Sequence, residues 1–285
     1  MRAPVPEHRS SSIKPTQLRL RIFAGPNGSG KSTIIEGIRR SRPNGRPLDF
    51  GFYVNSDQIV LQLRDQGLSF SEFGLNVSAD EFVRVALNSG LVADSRFTPD
   101  DFTTSFRIAE NHISWKLKDT PGLSFEVLTR SVEGLAQIIA DFLHKQLLKD
   151  RKKFSIETVF SHPGKLELMK AAAEAGYKVY LYFIATESAE INKFRVLTRE
   201  KKGGHHVSPE RIEQRYVRSL GLLFDAAQLT YQSYFIDNSA DNSPANFFAN
   251  FKVVDGKKEW NLKPGSHRDY PLWFISNYSD KIAGQ

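Results

Sequence analysis

The 285-residue chain has no cysteine at all. No disulfide, thiolate metal site or cysteine nucleophile can therefore be built, and the composition suits a reducing compartment. Nor does any uncharged run approach the roughly 18–20 apolar residues needed to span a bilayer. Residues 1–17 carry charges and prolines without an apolar stretch, so they read as a flexible leader and not as a secretory signal. Together these absences predict a cytoplasmic protein with no membrane contact. No internal repeat is found either.

What is present is ordinary globular composition, 40% hydrophobic and 25% charged, with a net charge of +7. A basic balance invites a nucleic-acid reading, but its distribution argues against one. From Ile191 to Arg218 stand eight Lys/Arg against Glu200, Glu210 and Glu213, so one segment supplies +5 of the +7. Charge concentrated in this way suits clamping one polyphosphate as well as tracking a nucleic acid.

Strands and helices alternate along the chain. Apolar runs at 18–24, 50–54, 154–159, 178–186 and 234–236 predict five strands, and helical spacing marks 31–40, 127–149, 164–175, 189–201 and 208–229. This alternation predicts an α/β fold with a five-stranded parallel sheet covered on both faces. One domain is expected over 18–250. Within it, 60–125 reads as a mostly helical insertion, with helical pieces at 79–88 and 102–117, and 189–218 as an Arg-rich lid. A hairpin around Asp255-Gly256 and a tail rich in Pro, Ser and aromatics fill 251–285.

Between the first strand and the first helix lies Gly25-Pro26-Asn27-Gly28-Ser29-Gly30-Lys31-Ser32-Thr33. It matches the phosphate-loop pattern G-x-x-x-x-G-K-[ST] in its required strand–turn–helix setting. The glycines permit positive φ and close approach of a ligand. Successive N–H groups and the helix N-terminus then form an anion cradle. In that cradle Lys31 would meet the β- and γ-phosphates of ATP, and Ser32 would offer its hydroxyl to Mg²⁺. The wording of the loop is close to that of transporter ATPases, but their Leu-Ser-Gly-Gly-Gln signature is absent. So is the guanine-reading Asn-Lys-x-Asp pattern.

Four further landmarks complete a resemblance. They are Val54-Asn55-Ser56-Asp57, Phe154-Ser155-Ile156-Glu157-Thr158, Arg195 through Gly203-Gly204-His205-His206-Val207 to Arg215-Tyr216, and Asp237-Asn238-Ser239. In order and spacing the chain resembles the zeta-toxin family of P-loop kinases over roughly residues 18–240. The resemblance implies an ATP- and Mg²⁺-dependent kinase acting on a hydroxyl of UDP-N-acetylglucosamine or a similar metabolite, with an antitoxin as partner. Where the family commonly has a second threonine after Glu-Thr, this chain has Val159, which puts the substrate in doubt.

By the resemblance Asp57 is the general base; an Asx-turn or helix cap is the alternative. Glu157 and Thr158 are the substrate-binding pair, Glu157 alternatively supporting Mg²⁺ or pairing with a lid arginine. Arg199 and Arg215 are the lid arginines expected to stabilise the transferred phosphoryl group, with Arg195 as a further ATP contact. Ile191, Phe194 and Leu197 lie on another face of the first lid helix and are expected to pack. His205 and His206 lack companions at metal-ligand spacing, and His162 reads as a loop residue. Asp237-Asn238-Ser239 is expected either to edge the adenine pocket or to end a strand. Two other functional classes fit the same loop: a nucleic-acid end kinase, and a nucleotide-dependent switch or partner-binding module that transfers nothing.

Overall fold

A computed structural model describes residues 17–42, 45–94, 97–201, 207–262 and 270–283. The residues of the N-terminal leader up to 16, and Gly203 to His206 of the lid turn, lie outside this set.

The chain begins with β1 (Arg19–Ala24), α1 (Lys31–Arg40), β2 (Phe52–Asn55) and α2 (Ser56–Arg64). The segment 60–125 then contributes β3 (Leu68–Ser69), α3 (Ala79–Leu87), α4 (Leu91–Asp94), α5 (Pro99–Thr104), β4 (Phe106–Ala109) and β5 (His112–Trp115). After it come α6 (Phe125–Lys149), β6 (Phe154–Thr158), α7 (Gly164–Glu174), β7 (Lys178–Ala185), α8 (Ala189–Glu200), α9 (Pro209–Gly221) and α10 (Leu223–Gln228). The last strands are β8 (Gln232–Asp237), β9 (Asn246–Val254) and β10 (Lys257–Leu262).

The fold is α/β. Strands β8, β7, β1, β6 and β2 are mutually parallel, as expected, and lie in that order. The sheet nevertheless has seven strands and not five, because β9 and β10 add antiparallel to β8. The hairpin around Asp255-Gly256 is therefore part of the main sheet, and its first strand starts at Asn246, before the expected boundary at 250. Asp255 at φ 49 and Gly256 at φ 76 supply the two left-handed residues of its turn.

The insertion also departs from its helical reading. A three-stranded sheet, β3-β5-β4, stands where a helix was expected over 102–117. Glu110 and Asn111 both have positive φ, 49 and 61, and close β4 onto β5 in a two-residue turn. Residues 106, 113 and 115 point into the core with the period of strands, which wins over the helical spacing.

Alternate residues of each strand face two cores. Leu20 and Ile22 of β1, Ile156 of β6 and Leu181 of β7 face the larger one, built around the apolar stripe of α6 (Val132, Leu135, Ile139, Phe142, Leu143). On the other face Phe23, Tyr182 and Ile236 pack under Ile34 and Ile35 of α1. Burying such side chains stabilises by roughly 1.5–3 kcal/mol each, enough to hold α1, and the loop before it, against the carboxyl edge of the sheet.

Candidate active site

The helices α3, α5, α6, α8 and α9 begin at Ser78, Thr98, Ser124, Ser188 and Ser208, whose side chains each accept a backbone N–H of the first turn. The helix α1 is different. Its N-cap is Gly30 at φ 86, with no side-chain cap and no acid in its first turn. The positive end of α1 thus keeps its N–H groups available to an anion. The loop leading to it is pressed against the protein. A Cβ on Gly25 (φ 147) would stand 1.9 Å from the Ile184 carbonyl oxygen, and one on Gly28 (φ 79) 2.6 Å from that of Asn192. Asn238 Nδ2 donates to the Ser29 carbonyl at 2.9 Å and fixes the loop from the end of β8.

Lys31 is 9% exposed and donates from Nζ to the carbonyls of Gly25 (2.8 Å) and Pro26 (3.0 Å). Burial lowers its pKa foremost, opposed by the charges of Glu157 and Asp57 and reinforced by those of Arg199 and Arg215. Four of the five other charged residues predicted for the site therefore act on the loop lysine, Arg195 being the exception.

Register explains the carboxylate wall beside it. Glu157 lies between Phe23 of β1 and Asn55 of β2 at the carboxyl edge of the sheet. Its Oε1 accepts from Ser32 Oγ at 2.8 Å; its Oε2 accepts from Asn55 Nδ2 at 2.8 Å and from the Tyr53 hydroxyl. Among the described residues this carboxylate is held by three hydrogen bonds and not by a lid arginine. Burial first, then the Glu157 carboxylate, raises the Tyr53 pKa beyond the ordinary phenol range, so the hydroxyl is a donor.

Asp57 stands exposed in the first turn of α2. The cap of that helix is Asn55, whose Oδ1 accepts the Asp57 N–H at 2.8 Å. The carboxylate of Asp57 is thus not the cap. Asn55 ties both acids together, holding Asp57 through its oxygen and Glu157 through its nitrogen. Thr158 sits next to Glu157, but its Oγ1 accepts the Phe160 N–H at 3.2 Å within a local turn. His162 likewise serves its loop, its Nδ1 accepting the Gly164 N–H.

The lid reaches the loop from the opposite side. Arg215 of α9 donates from Nη1 to Asn27 Oδ1 at 3.2 Å. Burial, with help from Arg211, lowers its pKa to about 10, against the pull of Glu133 and Asp57. Arg199 of α8 is exposed on the surface but contributes its charge to Lys31. Arg195 is engaged by the loop after β8. Its Nε donates to Asp241 Oδ1 at 3.0 Å and its Nη1 to the Asn238 carbonyl at 2.7 Å. It lines the wall of a cavity of about 760 Å³ with Gly30, Ile34, Gly37, Asn238 and Phe247. Asp237 is structural: it accepts from Ser239 Oγ and from the Trp273 indole at 2.9 Å.

The packing face of α8 also differs from expectation. Asn192 and Val196 are buried, whereas Phe194 and Leu197 are 65% and 41% exposed. Val196 joins Val207 and Ile212 in a small core that belongs to the lid alone. Among the described residues no group of three His, Asp or Glu is arranged to hold a metal, and no helix is long and apolar enough to cross a membrane.

Residues 130–236 match the family model described as Zeta toxin. The matched segment covers 107 of the chain's 285 residues. The segment begins after the phosphate loop and Asp57 and takes in Glu157, Thr158, Arg195, Arg199 and Arg215. An uncharacterized protein of Haemophilus influenzae is 33% identical over 69 residues, which is 24% of this chain; the chain spans about half (49%) of that relative. Among solved structures, AvrRxo1-ORF1:-ORF2 with ATP gives a TM-score of 0.49 at 14% identity, over 87% of this chain and 61% of that one. The PezAT toxin-antitoxin system of Streptococcus pneumoniae gives 0.44 at 11% identity, over 95% and 82%.

Tyr53 was not among the residues expected at the site. The signal for it was nonetheless present: in a strand ending at Asn55, residues 53 and 55 share one face.

Proposed function

We propose that this protein is an ATP-dependent kinase of the zeta-toxin kind that transfers a phosphoryl group to a hydroxyl of a small molecule, with UDP-N-acetylglucosamine or a similar metabolite as acceptor. The observation that carries this reading is the convergence on one phosphate loop of two acids from the sheet edge and an arginine from the lid. Phosphoryl transfer needs positioning and charge neutralisation more than covalent chemistry, and these groups supply both. The phosphates of ATP lie in the 25–33 loop against Lys31, and the base takes the cavity beside α1, walled by Arg195 and Asn238. Asp57 accepts the proton of the attacking hydroxyl. Arg215 and Arg199 stabilise charge on the phosphoryl group in flight. Glu157 holds the acceptor side of the site with Thr158 next to it.

Mg²⁺ fits the donor set, since Ser32 Oγ and Glu157 Oε1 are hard oxygen donors 2.8 Å apart beside the loop. Those two residues would hold it, and it would neutralise charge on the β- and γ-phosphates. The same reading makes the protein cytoplasmic and gives it an antitoxin as partner. The test is ATP consumption with Mg²⁺, with and without UDP-N-acetylglucosamine, in wild type and in Asp57→Asn. Acceptor-stimulated turnover should fall about 10²–10⁴-fold in the variant. Tight ATP binding without stimulation would overturn this acceptor and leave the loop standing.

A further inference from the structure

Both carboxylate oxygens of Glu157 carry hydrogen bonds. Two of its three donors come from β2, a strand whose residues 53 and 55 face the same way as Glu157 across the sheet. Asn55 is shared, because its other end caps α2. Tyr53 meets Glu157 with its hydroxyl, which also interacts with the Asn55 side chain. Its ring is itself fixed: the Arg39 guanidinium of α1 lies 4.2 Å from the ring centroid, and Phe50 packs edge-on at 6.5 Å. Arg39 is on the last turn of the helix that Lys31 and Ser32 begin. The ring is therefore braced by the helix that presents the loop, and the hydroxyl is aimed at the acid beside that loop.

We propose that Tyr53 is a positioning residue: its hydroxyl pins Glu157 Oε2, so that Oε1 faces Ser32 and the two oxygens are presented together to a divalent cation on the nucleotide phosphates. The inference rests on the phosphoryl-transfer reading for its purpose, but its geometry stands apart from the identity of the acceptor. A carboxylate free to rotate would spend most of its time off the loop. Outer-shell donors of this kind commonly change metal affinity or activity about 10–100-fold when removed.

The variant Tyr53→Phe keeps the ring and its stack with Arg39 and deletes one hydroxyl. The full chain is titrated with ATP in excess Mg²⁺ and again in EDTA. Tyr53→Phe should lower the Mg²⁺-dependent gain in ATP affinity about 10-fold and leave the affinity in EDTA within about 2-fold. Where wild type turns ATP over, kcat falls by a similar factor. In a Glu157→Gln background the same hydroxyl deletion should add less than about 2-fold, because the donor acts through that acid. Arg39→Ala, which loosens the ring and spares the hydroxyl, should lose only part of the Mg²⁺ gain, clearly less than Tyr53→Phe does. An unchanged gain in Tyr53→Phe overturns the proposal, as does an equal loss in Arg39→Ala or full additivity with Glu157→Gln. Wild type that binds ATP with no Mg²⁺ gain also overturns it. A wild type that shows the gain but transfers to no acceptor defeats the kinase reading alone.

Discussion

The two sides of the phosphate loop are built on different principles. On one side the acids stand on or just after strands, in register with the centre of the sheet, and Glu157 is held by three donors. On the other side the arginines stand on α8 and α9, two helices with a three-residue core of their own. Polar contacts join them to the rest: Arg215 to Asn27, Arg195 several times to the 238–241 loop, and Arg211 to Glu133 at 3.9 Å, while Tyr216 and Leu220 of α9 also pack on the main core. A wall fixed by the sheet can be preorganised before substrate arrives. The arginines themselves are held more lightly, since each half-exposed polar contact contributes only about 0.5–1.5 kcal/mol. The difference assigns geometry to the sheet and charge delivery to the lid.

That contrast can be broken most directly at Arg215. Arg215→Ala should lower turnover about 10³-fold, the scale of a cis-acting arginine in phosphoryl transfer, while the melting temperature stays within about 2 °C of wild type. A large drop in Tm would instead make the lid part of the rigid frame. The wall and the loop should respond in the opposite sense. Gly25→Ala places a Cβ 1.9 Å from the backbone oxygen of Ile184, at a φ of 147 that side chains avoid. The strained backbone alone costs about 1–3 kcal/mol, so Tm falls by roughly 5 °C and ATP binding is lost with it.

The smallest effect is a pH dependence, and it sharpens the comparison because Lys31 belongs to the loop and Arg215 to the lid. Both are cations whose pKa is lowered, chiefly by burial. In such a window the unfolded chain binds more protons than the folded one, so stability rises with pH. For Arg215 that window opens at about 10. ATP affinity moves the other way, because each cation lost removes attraction for the phosphates; Lys31 sheds its proton at a lower pH than an ordinary lysine does. Nucleotide titrations and thermal melts from about pH 8 to pH 10 should therefore diverge, affinity falling by several-fold while nucleotide-free Tm holds or rises slightly.

Much of this was legible in the sequence wherever one residue pattern had one physical meaning. The bounds of α1 fall at Lys31 and Arg40 as the periodicity predicts, and Gly176 takes the left-handed conformation (φ 82) just past α7. The five parallel strands and their order of use follow from alternation alone. What was missed lay where two periods compete or where tertiary pairing decides. Residues 102–117 fit a helix until the Glu110-Asn111 turn folds them into strands. Phe194 and Leu197 looked like the packing face of α8, but the lid core takes Val196 and leaves them in solvent. The pairing of Arg195 with Asp241 could not be read either, because the two stand 46 positions apart. For Tyr53 the alternation with Asn55 gave the face but not the partner, which is more than a hundred positions away and is brought near only by strand register.

The placement of β1 has one more consequence, for the order in which the protein can be made. This central strand, with the phosphate loop behind it, leaves the ribosome before either strand that flanks it. Both strands that flank it, β6 and β7, begin only at Phe154 and Lys178, and the loop's clamp, Asn238, comes later still. Until they emerge the first hydrophobic segment has no sheet to join, a long-range pairing of the slow and exposed kind. A nascent chain therefore carries the complete phosphate-loop sequence without a formed site until β6, β7 and Asn238 have all emerged.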